Sequence, residues 1–173
     1  ILDSGSTISE SAQFRLQKLA QKYQYKLIAI DDKLLNALLK RVDEIPVSLV
    51  LIQAANETGW GTSRFAREGL NFFGEWCFTS GCGLVPNSRT SGKTHEVEVF
   101  DSVADSVASY MLNLNSNSAY SLLRSIRFQL RQQGMQPTAE ELVYGLVNYS
   151  ERKDAYIDEL LEMLRHNKKY LVN

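Results

Sequence analysis

The 173-residue sequence is poor in the residues that build metal sites, disulfide frameworks and strongly charged surfaces. It contains only two cysteines, Cys77 and Cys82, and two histidines, His95 and His166, which are far apart in the chain. This set lacks the ligands of a zinc centre, and we expect neither a metal nor another cofactor. Nineteen basic residues against twenty acidic ones leave a net charge of −1, which favours neither nucleic acid nor acidic lipid as a partner.

Long hydrophobic runs are also absent. No apolar stretch approaches the roughly 20 residues of a membrane-spanning helix, since the run at 47–55 has about half that length. The length suits a single domain over residues 1–173, and we expect a monomer. The chain begins at Ile1 rather than Met, so we expect any targeting segment to lie outside these residues.

The two cysteines lie five positions apart in a glycine-containing stretch. A local disulfide between Cys77 and Cys82 is the preferred interpretation, and a pair of free thiols is the alternative. A disulfide would suit an oxidising compartment.

Most of the sequence has helical periodicity. Thr7 to Glu10 has the form of a capping box, and Asp31 or Asp32 can cap a second helix. The expected buried stripe of that second helix comprises Leu35, Leu38, Leu39 and Val42. Further helical patterns occupy residues 103–114, 119–130 and 157–164. The pattern predicts a mainly helical α+β fold.

Between residues 71 and 100 the helical pattern stops, and glycine, serine, proline and aromatic residues replace it. Ser91-Gly92 is typical of a hairpin turn, and residues 95–99 alternate as a strand with Glu96 and Glu98 on one face. We predict a small β-lobe at about 75–100. A long insert of this kind is more often a binding or catalytic wall than filler.

Residues 46–58 predict a helix that is apolar on nearly every side and therefore buried. Pro46 suits its first turn, while Gly59 and Gly61 suit its C-terminal exit. Glu57 lies at that exit, where partial burial and the negative end of the helix dipole would both raise the pKa of its carboxyl group. An acid that stays protonated near neutral pH can act as a general acid, and a solvated helix terminus is the alternative.

Other candidate residues surround Glu57 in sequence or follow later in the chain. Aromatic rings suit the apolar faces of sugars but also fill cores, so we expect Phe72 or Phe73 in the core and Trp76 at a groove. The β region offers three carboxylates, Glu75, Glu96 and Glu98, one of which would complete the acid pair of a glycosidase; a solvated strand face is the alternative. Tyr149 and Tyr156 frame a polar turn, where a hydroxyl could orient a substrate carbonyl or water, although such tyrosines are usually structural.

Residues 53–63 and 71–74 resemble the signature A-Q-A-x-x-E-[ST]-G-[WY]-G-x-S … N-x-F-G of bacterial peptidoglycan β-N-acetylglucosaminidases. This family includes the muramidase-like domain of the flagellar rod-cap hydrolase and many autolysins. A closer similarity is to its Bax-type proteins from Gram-negative bacteria. That similarity is carried by Trp76-Cys77-Phe78, Gly81-Cys82-Gly83, Thr94-His95-Glu96-Val97, Asn113-Leu114-Asn115 and Tyr149-Ser150-Glu151-Arg152.

The resemblance implies a lysozyme-like fold, with a helical lobe and a β-lobe enclosing a glycan groove. It implies a periplasmic or cell-envelope enzyme that hydrolyses the β-1,4 bond from N-acetylglucosamine to N-acetylmuramic acid in peptidoglycan. Glu57 falls on the family's catalytic acid. The family's tyrosine falls on Tyr149 to Tyr156, and Tyr156 is favoured because it is expected directly before the final helix. The predicted substrate-binding residues are Trp60, Asn71, Phe73, Trp76 and Tyr149.

The second catalytic group stays open, because residues 82–89 contain no Asp or Glu and Glu96 follows the expected turn. Either Glu96 activates a water, or the acetamido group of the substrate attacks with support from Tyr156. A lytic transglycosylase is a rival hypothesis, although the G-L-M-Q run usual in those enzymes is missing. An endo-acting enzyme on glycoprotein N-glycans is a second rival, and a non-catalytic glycan-binding domain is a third.

Overall fold

The structure is a computed structural model that describes residues 8–87, 89, 92 and 94–171. Within those residues it contains eight α-helices and one small sheet, which confirms the mainly helical α+β class. The helices are α1 (Glu10–Lys22), α2 (Asp32–Arg41), α3 (Val47–Thr58), α4 (Arg64–Gly69), α5 (Val103–Ser116), α6 (Ser121–Gln132), α7 (Ala139–Leu142) and α8 (Asp154–Asn167). The strands are β1 (Trp76–Cys77), β2 (Gly83–Leu84) and β3 (Glu96–Glu98). None of the described helices is both long and apolar enough to cross a membrane.

The chain divides into two compact units. The first comprises Ile1–Ile45 with Leu112–Ile157, and the second comprises Pro46–Met111 with Asp158–Asn173. The single domain and the lysozyme-like arrangement of lobes stay predictions.

Side-chain caps fix the helix starts in the first unit. Asp31 caps α2, where its carboxylate accepts the N–H of Leu34 at 2.9 Å. Ser9, rather than Thr7, caps α1 by accepting the N–H of Ala12. Glu10 is therefore the first residue of α1 and not the third, as the predicted capping box requires, while Thr7 itself lies outside the described residues.

The buried stripe of α2 differs from the predicted one. Leu34 and Leu38 are buried together with Ala20 of α1, whereas Leu39 is 60 % exposed. Leu34 was absent from the predicted stripe because the sequence does not show which side of a leucine-rich helix meets its neighbour. The packing of α1 and α6 on α2 selects that side.

The second unit is built around α3. Gly59 ends this helix in the left-handed conformation with φ 54°, as predicted, while Pro46 is its N-cap residue rather than part of its first turn. Leu49 and Ile52 are buried, but Leu51 is 49 % exposed, so the expectation of a helix buried on nearly every side was wrong. One side of α3 packs into the core and the other reaches solvent.

The β-lobe forms a three-stranded antiparallel sheet with the order β1-β3-β2. In the central strand β3, Val97 lies opposite Trp76 of β1 and opposite Leu84 of β2. The predicted strand at 95–99 is therefore confirmed at Glu96–Glu98. Of the predicted hairpin turn, Ser91 lies outside the described residues, and Gly92 has a φ of 85°.

Candidate active site

Glu57 lies in the last turn of α3 and is half-buried. The chain turns sharply after it, because Gly59, Trp60 and Gly61 all have positive φ angles. The hydroxyl group of Thr58 donates to Ala54 O at 2.6 Å and accepts the N–H of Gly61 at 2.8 Å, which stabilises the exit. The helix end therefore holds the Glu57 carboxyl group at a defined position.

The second part of the sequence motif, residues 71–74, also lies beside the Glu57 carboxyl group. A Cβ atom on Gly74 would lie 3.7 Å from Oε2 of Glu57, so this part of the chain passes directly beside the carboxyl group. Gly74 has a φ of 67°, a conformation that residues with a side chain rarely adopt. The glycine thus allows the backbone turn next to the acid. We call residues 71–75 the acid-facing segment.

Asn71 braces the acid-facing segment. Its side-chain amide donates to Glu75 O and Glu98 O, both at 2.9 Å, and its carbonyl oxygen accepts the N–H groups of Phe73 and Glu75. The residue is 1 % exposed. These four hydrogen bonds use both amide hydrogens and both oxygen lone pairs. These bonds give Asn71 a supporting role in the segment, and its predicted contact with substrate stays a prediction.

Phe73 is also buried. Its ring stacks on Tyr110 with the ring centroids 3.9 Å apart, and the Tyr110 hydroxyl group donates to the side chain of Gln53. Gln53 precedes Glu57 by one turn of α3, so this stack supports the helix that carries the acid. The expectation that Phe72 or Phe73 fills the core holds for Phe73, and its substrate-binding role stays a prediction.

Three aromatic side chains of the region remain exposed. Trp60 is 64 % exposed and Trp76 is 55 % exposed, while Phe78 is more open still. The Trp76 ring stacks on His95 with the centroids 4.2 Å apart, which fixes its orientation. Such rings can pack on the apolar faces of sugars. The substrate-binding roles of Trp60 and Trp76 stay predictions.

Glu96 is buried beneath a disulfide loop. Cys77 and Cys82 form a disulfide with an S–S distance of 1.99 Å, which confirms the preferred interpretation. The Glu96 carboxylate accepts the N–H of Gly81 at 3.0 Å and that of Gly83 at 2.9 Å, one on each oxygen. These backbone hydrogen bonds, Gly81 first, lower the pKa of Glu96. The alternative of a solvated strand face is therefore wrong for Glu96.

The disulfide also determines whether Cys77, Cys82 and Glu96 could bind a metal ion. Ligand atoms of Cys77, Cys82 and Glu96 lie within 4.8 Å of one another, which is close enough to surround a cation. The two sulfur atoms are bonded to each other, however, so they cannot act as thiolate ligands. We therefore assign the cluster to the stabilisation of the loop.

Glu75 lies at the end of the acid-facing segment and has the opposite environment. Its Oε1 atom accepts a hydrogen bond from the Ser109 hydroxyl group at 3.2 Å. Its Oε2 atom is buried and has no hydrogen-bond partner among the described residues. Burial raises the pKa of Glu75 to about 7, the Ser109 hydrogen bond opposes the rise, and the nearby charge of Glu98 adds to it. Nothing in the sequence distinguishes Glu75 from an ordinary surface carboxylate.

Tyr149 and Tyr156 lie in the first unit. Tyr156 is buried and stacks on Tyr149 with the ring centroids 5.6 Å apart, and Tyr149 in turn contacts Tyr120. Tyr156 lies in the first turn of α8, which begins at Asp154, so the expectation that Tyr156 directly precedes the final helix is off by three residues. The functional roles of both tyrosines stay predictions.

Two cavities lie along α3 in the second unit. One, of about 630 Å³, is mainly apolar and is lined by Val50, Phe72 and Val107 among others. The other, of about 390 Å³, is more polar and includes Glu162 and His166. Trp60 lines both cavities and Glu57 lines neither, so these cavities do not by themselves locate the acid.

Comparison with known proteins gives the family of the chain. Residues 32–169 match the model of the Glucosaminidase family, described as mannosyl-glycoprotein endo-beta-N-acetylglucosaminidase. The chain belongs to this family, which places it among the glycan-cleaving hydrolases.

A curated relative supports the same assignment. The chain is 37 % identical over 164 residues to Protein bax of Escherichia coli (strain K12), an alignment that covers 94 % of this chain and 58 % of the relative. The chain thus spans little more than half the length of that protein. The match confirms the resemblance to Bax-type proteins. No solved structure matches the chain.

Proposed function

We propose that this chain is a peptidoglycan hydrolase that cleaves the β-1,4 bond from N-acetylglucosamine to N-acetylmuramic acid, with Glu57 as the general acid. One observation carries the proposal. The two parts of the family motif, residues 53–63 and 71–74, meet at Gly74, where a Cβ atom would lie 3.7 Å from Oε2 of Glu57. Membership of the Glucosaminidase family supports a glycan as the substrate.

In the proposed reaction the Glu57 carboxyl group donates its proton to the glycosidic oxygen as the bond to the anomeric carbon breaks. The N-acetylmuramic acid portion leaves as an alcohol. A water molecule then supplies a hydroxyl group to the anomeric carbon and returns a proton to the site, which balances the hydrolysis. The exposed rings of Trp60 and Trp76 would pack on the sugars, with Trp76 held by His95.

The surroundings of Glu96 bear on how the anomeric carbon is attacked. Each of its oxygens already accepts a backbone N–H, which stabilises the charged form and makes it a weaker base. We therefore favour attack by the acetamido group of the substrate over activation of water by Glu96. The supporting role for Tyr156 in that route is carried over from the family resemblance.

The test of the proposed function is Glu57→Gln on purified peptidoglycan. We expect the release of reducing sugars to fall roughly 10²–10⁴-fold, since a glutamine cannot donate the proton. Glu68→Gln, which changes an exposed residue of α4, is the matched control and should keep full activity. Normal turnover by Glu57→Gln would overturn the assignment of the acid.

The products decide which bond is cut and by what reaction. Mass spectrometry of the released fragments should show reducing N-acetylglucosamine ends. Anhydromuramic ends would instead identify a lytic transglycosylase. Binding of peptidoglycan without release of any fragment, even at high protein concentration and long times, would identify a non-catalytic glycan-binding domain.

A second candidate follows from the description of the family, which names mannosyl-glycoproteins. In that case the same acid would cleave within the N-acetylglucosamine core of an N-linked glycan. Incubation with a high-mannose glycoprotein tests this function, and a mass loss equal to the released glycan would favour it. We expect no such loss. A periplasmic or cell-envelope location, which the disulfide suits, is part of the main proposal.

A further inference from the structure

Glu75 is a partly buried glutamate of the acid-facing segment that the reaction above does not use. Its backbone is fixed on both sides, because Asn71 binds its N–H and its C=O and the C=O also accepts the N–H of Glu98 at 3.0 Å. The residue before it, Gly74, lies against Glu57. Any movement of the Glu75 backbone would therefore change the surroundings of the acid.

The side chain of Glu75 is suited to a neutral state. Oε1 has the hydrogen bond from Ser109 of α5, and Oε2 is buried with no partner in the described part of the chain. The groups that face it are Glu98 of β3, whose like charge disfavours ionisation, and the neutral Ser109. On the α3 side, Glu57 lies beyond Gly74. A buried carboxylate with one hydrogen bond is far less stable than the same group with its proton.

We propose that Glu75 is a positioning residue for the reaction at Glu57, and that its neutral side chain holds the acid-facing segment in place while its ionisation releases that segment. This inference rests on the proposed function. The ionised side chain gains free energy by turning out to water, away from Glu98 and the buried site. In this proposal the loss of the hydrogen bond to Ser109 of α5 loosens the bonds that Asn71 makes to the Glu75 backbone, and the adjacent Gly74 then shifts relative to the Glu57 carboxyl group.

The pH at which release occurs follows from the environment of the group. Burial places the pKa of Glu75 at about 7, so the segment is held below neutral pH and released above it. One unit above the pKa, about a tenth of the molecules keep the proton. We therefore expect the kcat of the wild-type protein to fall to roughly a tenth between pH 6 and pH 8, with little change in KM.

Glu75→Gln tests the proposal through the pH profile. Glutamine has nearly the same shape and stays neutral, so the variant should keep its activity to at least one pH unit higher than the wild type. A merely structural residue would change activity by the same factor at every pH. An unchanged alkaline limb in Glu75→Gln would overturn the proposal.

Tryptophan fluorescence, measured without substrate, tests the role of Glu75 independently of whether the protein cleaves peptidoglycan. The chain has two tryptophans, so in a Trp60→Phe background Trp76, the neighbour of Glu75, is the only one left. Its fluorescence should change in a step centred near pH 7, and Glu75→Gln should remove the step. Because His95 stacks on Trp76, a step that persists in Glu75→Gln belongs to another group and contradicts the proposal.

Stability gives a second measurement that does not depend on glycan cleavage. The pKa of Glu75 is about 7 in the folded chain and near 4.5 in the unfolded chain. Its contribution is therefore complete below pH 4.5 and is lost as the pH rises through 7. The Tm of the wild type should fall relative to that of Glu75→Gln across this range, and parallel profiles would overturn the proposal. An inactive protein that showed both effects would refute only the proposed function.

Glu98→Gln covers the case in which Glu75→Gln does not fold. Removal of the neighbouring negative charge favours the ionised form of Glu75. The fluorescence step and the stability change should therefore move to lower pH, by an amount on the order of one unit or less. A step that stays at the same pH would contradict the assignment to Glu75.

Discussion

The buried Glu96 and the partly buried Glu75 are two glutamates of the same small β-lobe, and their environments are opposite. Glu96 meets two backbone N–H groups of the disulfide loop, which stabilise its charge and lower its pKa. Burial raises the pKa of Glu75 to about 7, the hydrogen bond from Ser109 opposes the rise, and the charge of Glu98 adds to it. The difference shows that the surroundings of a carboxyl group, rather than its distance along the chain from the acid, decide its chemical state.

The same difference makes Glu75, rather than Glu96, the carboxyl group whose function should be tested. A carboxylate whose two oxygens accept backbone hydrogen bonds stabilises the loop that donates them. A carboxyl group with an unpartnered buried oxygen is costly to ionise, and such groups concentrate at functional sites. Glu75 is therefore a better candidate than Glu96 for a second titrating group near Glu57.

Among changes to the surroundings of Glu96 and Glu75, we expect Gly83→Ala to cause the largest loss in the free energy of unfolding. A Cβ atom at position 83 would lie 2.0 Å from the backbone oxygen of Val97, so β2 and β3 would have to separate and Glu96 would lose a donor. We expect the free energy of unfolding to fall by about 3 kcal/mol, measured by urea denaturation.

Gly81→Ala is the matched control for this change. It removes a glycine with φ 81° where a Cβ would meet nothing within 4 Å, so only backbone strain of about 1 kcal/mol is expected. Equal losses in the two variants would show that the contact with Val97 does not carry the effect. Neither variant should move the fluorescence step assigned to Glu75.

A smaller effect is expected when the disulfide is removed in the double variant Cys77→Ser with Cys82→Ser. The bond closes a loop with a sequence separation of 5, for which the chain-entropy relation gives a loss of about 2 kcal/mol. Without the bond, Gly81 and Gly83 are no longer held over Glu96. Thermal unfolding checks the loss, and an unchanged Tm would show that the loop keeps its shape without the bond.

The smallest effect should come from Glu96→Gln, and it should depend on pH in the direction opposite to that of Glu75→Gln. The pKa of Glu96 is lowered in the folded state, so its contribution to stability is present above about pH 4.5 and is lost as the pH falls through the lower folded value. The variant should be less stable than the wild type at pH 7 and should approach it in acid. Measurement of Tm against pH for Glu96→Gln and Glu75→Gln, with Glu68→Gln as the control, tests whether the two pH dependences are opposite. If Tm changes with pH in the same direction in both variants, relative to the wild type, the two glutamates do not differ as described.

Much of the fold could be predicted from the sequence because its signals are local. The cap at Asp31, the end of α3 at Gly59, the strand that contains Glu96 and the change of character after residue 71 all follow from residue types at short spacing. Such signals depend on backbone conformation and on neighbours a few residues away. The family motif around Glu57 is local in the same sense.

Other features could not be predicted, because they depend on what packs against a residue. The buried side of α2 was misjudged, and α3 was expected to be buried all round although Leu51 reaches solvent. Asn71 was predicted to bind substrate from the family resemblance, and the sequence did not show that its side chain also binds Glu98 O of β3, 27 residues away. In each case the partner that decides the role lies in another part of the chain.

The sequence by itself determined the end of the helix that carries Glu57, the preferred pairing of the two cysteines and the family, because each depends on residue identity at close spacing. The tertiary structure decided how two carboxylates of the β-lobe differ. Donors from Gly81 and Gly83 stabilise the charge of Glu96, and burial beside Glu98 keeps the proton on Glu75. The free energy of a buried charge depends on the dipoles and charges that folding brings to it.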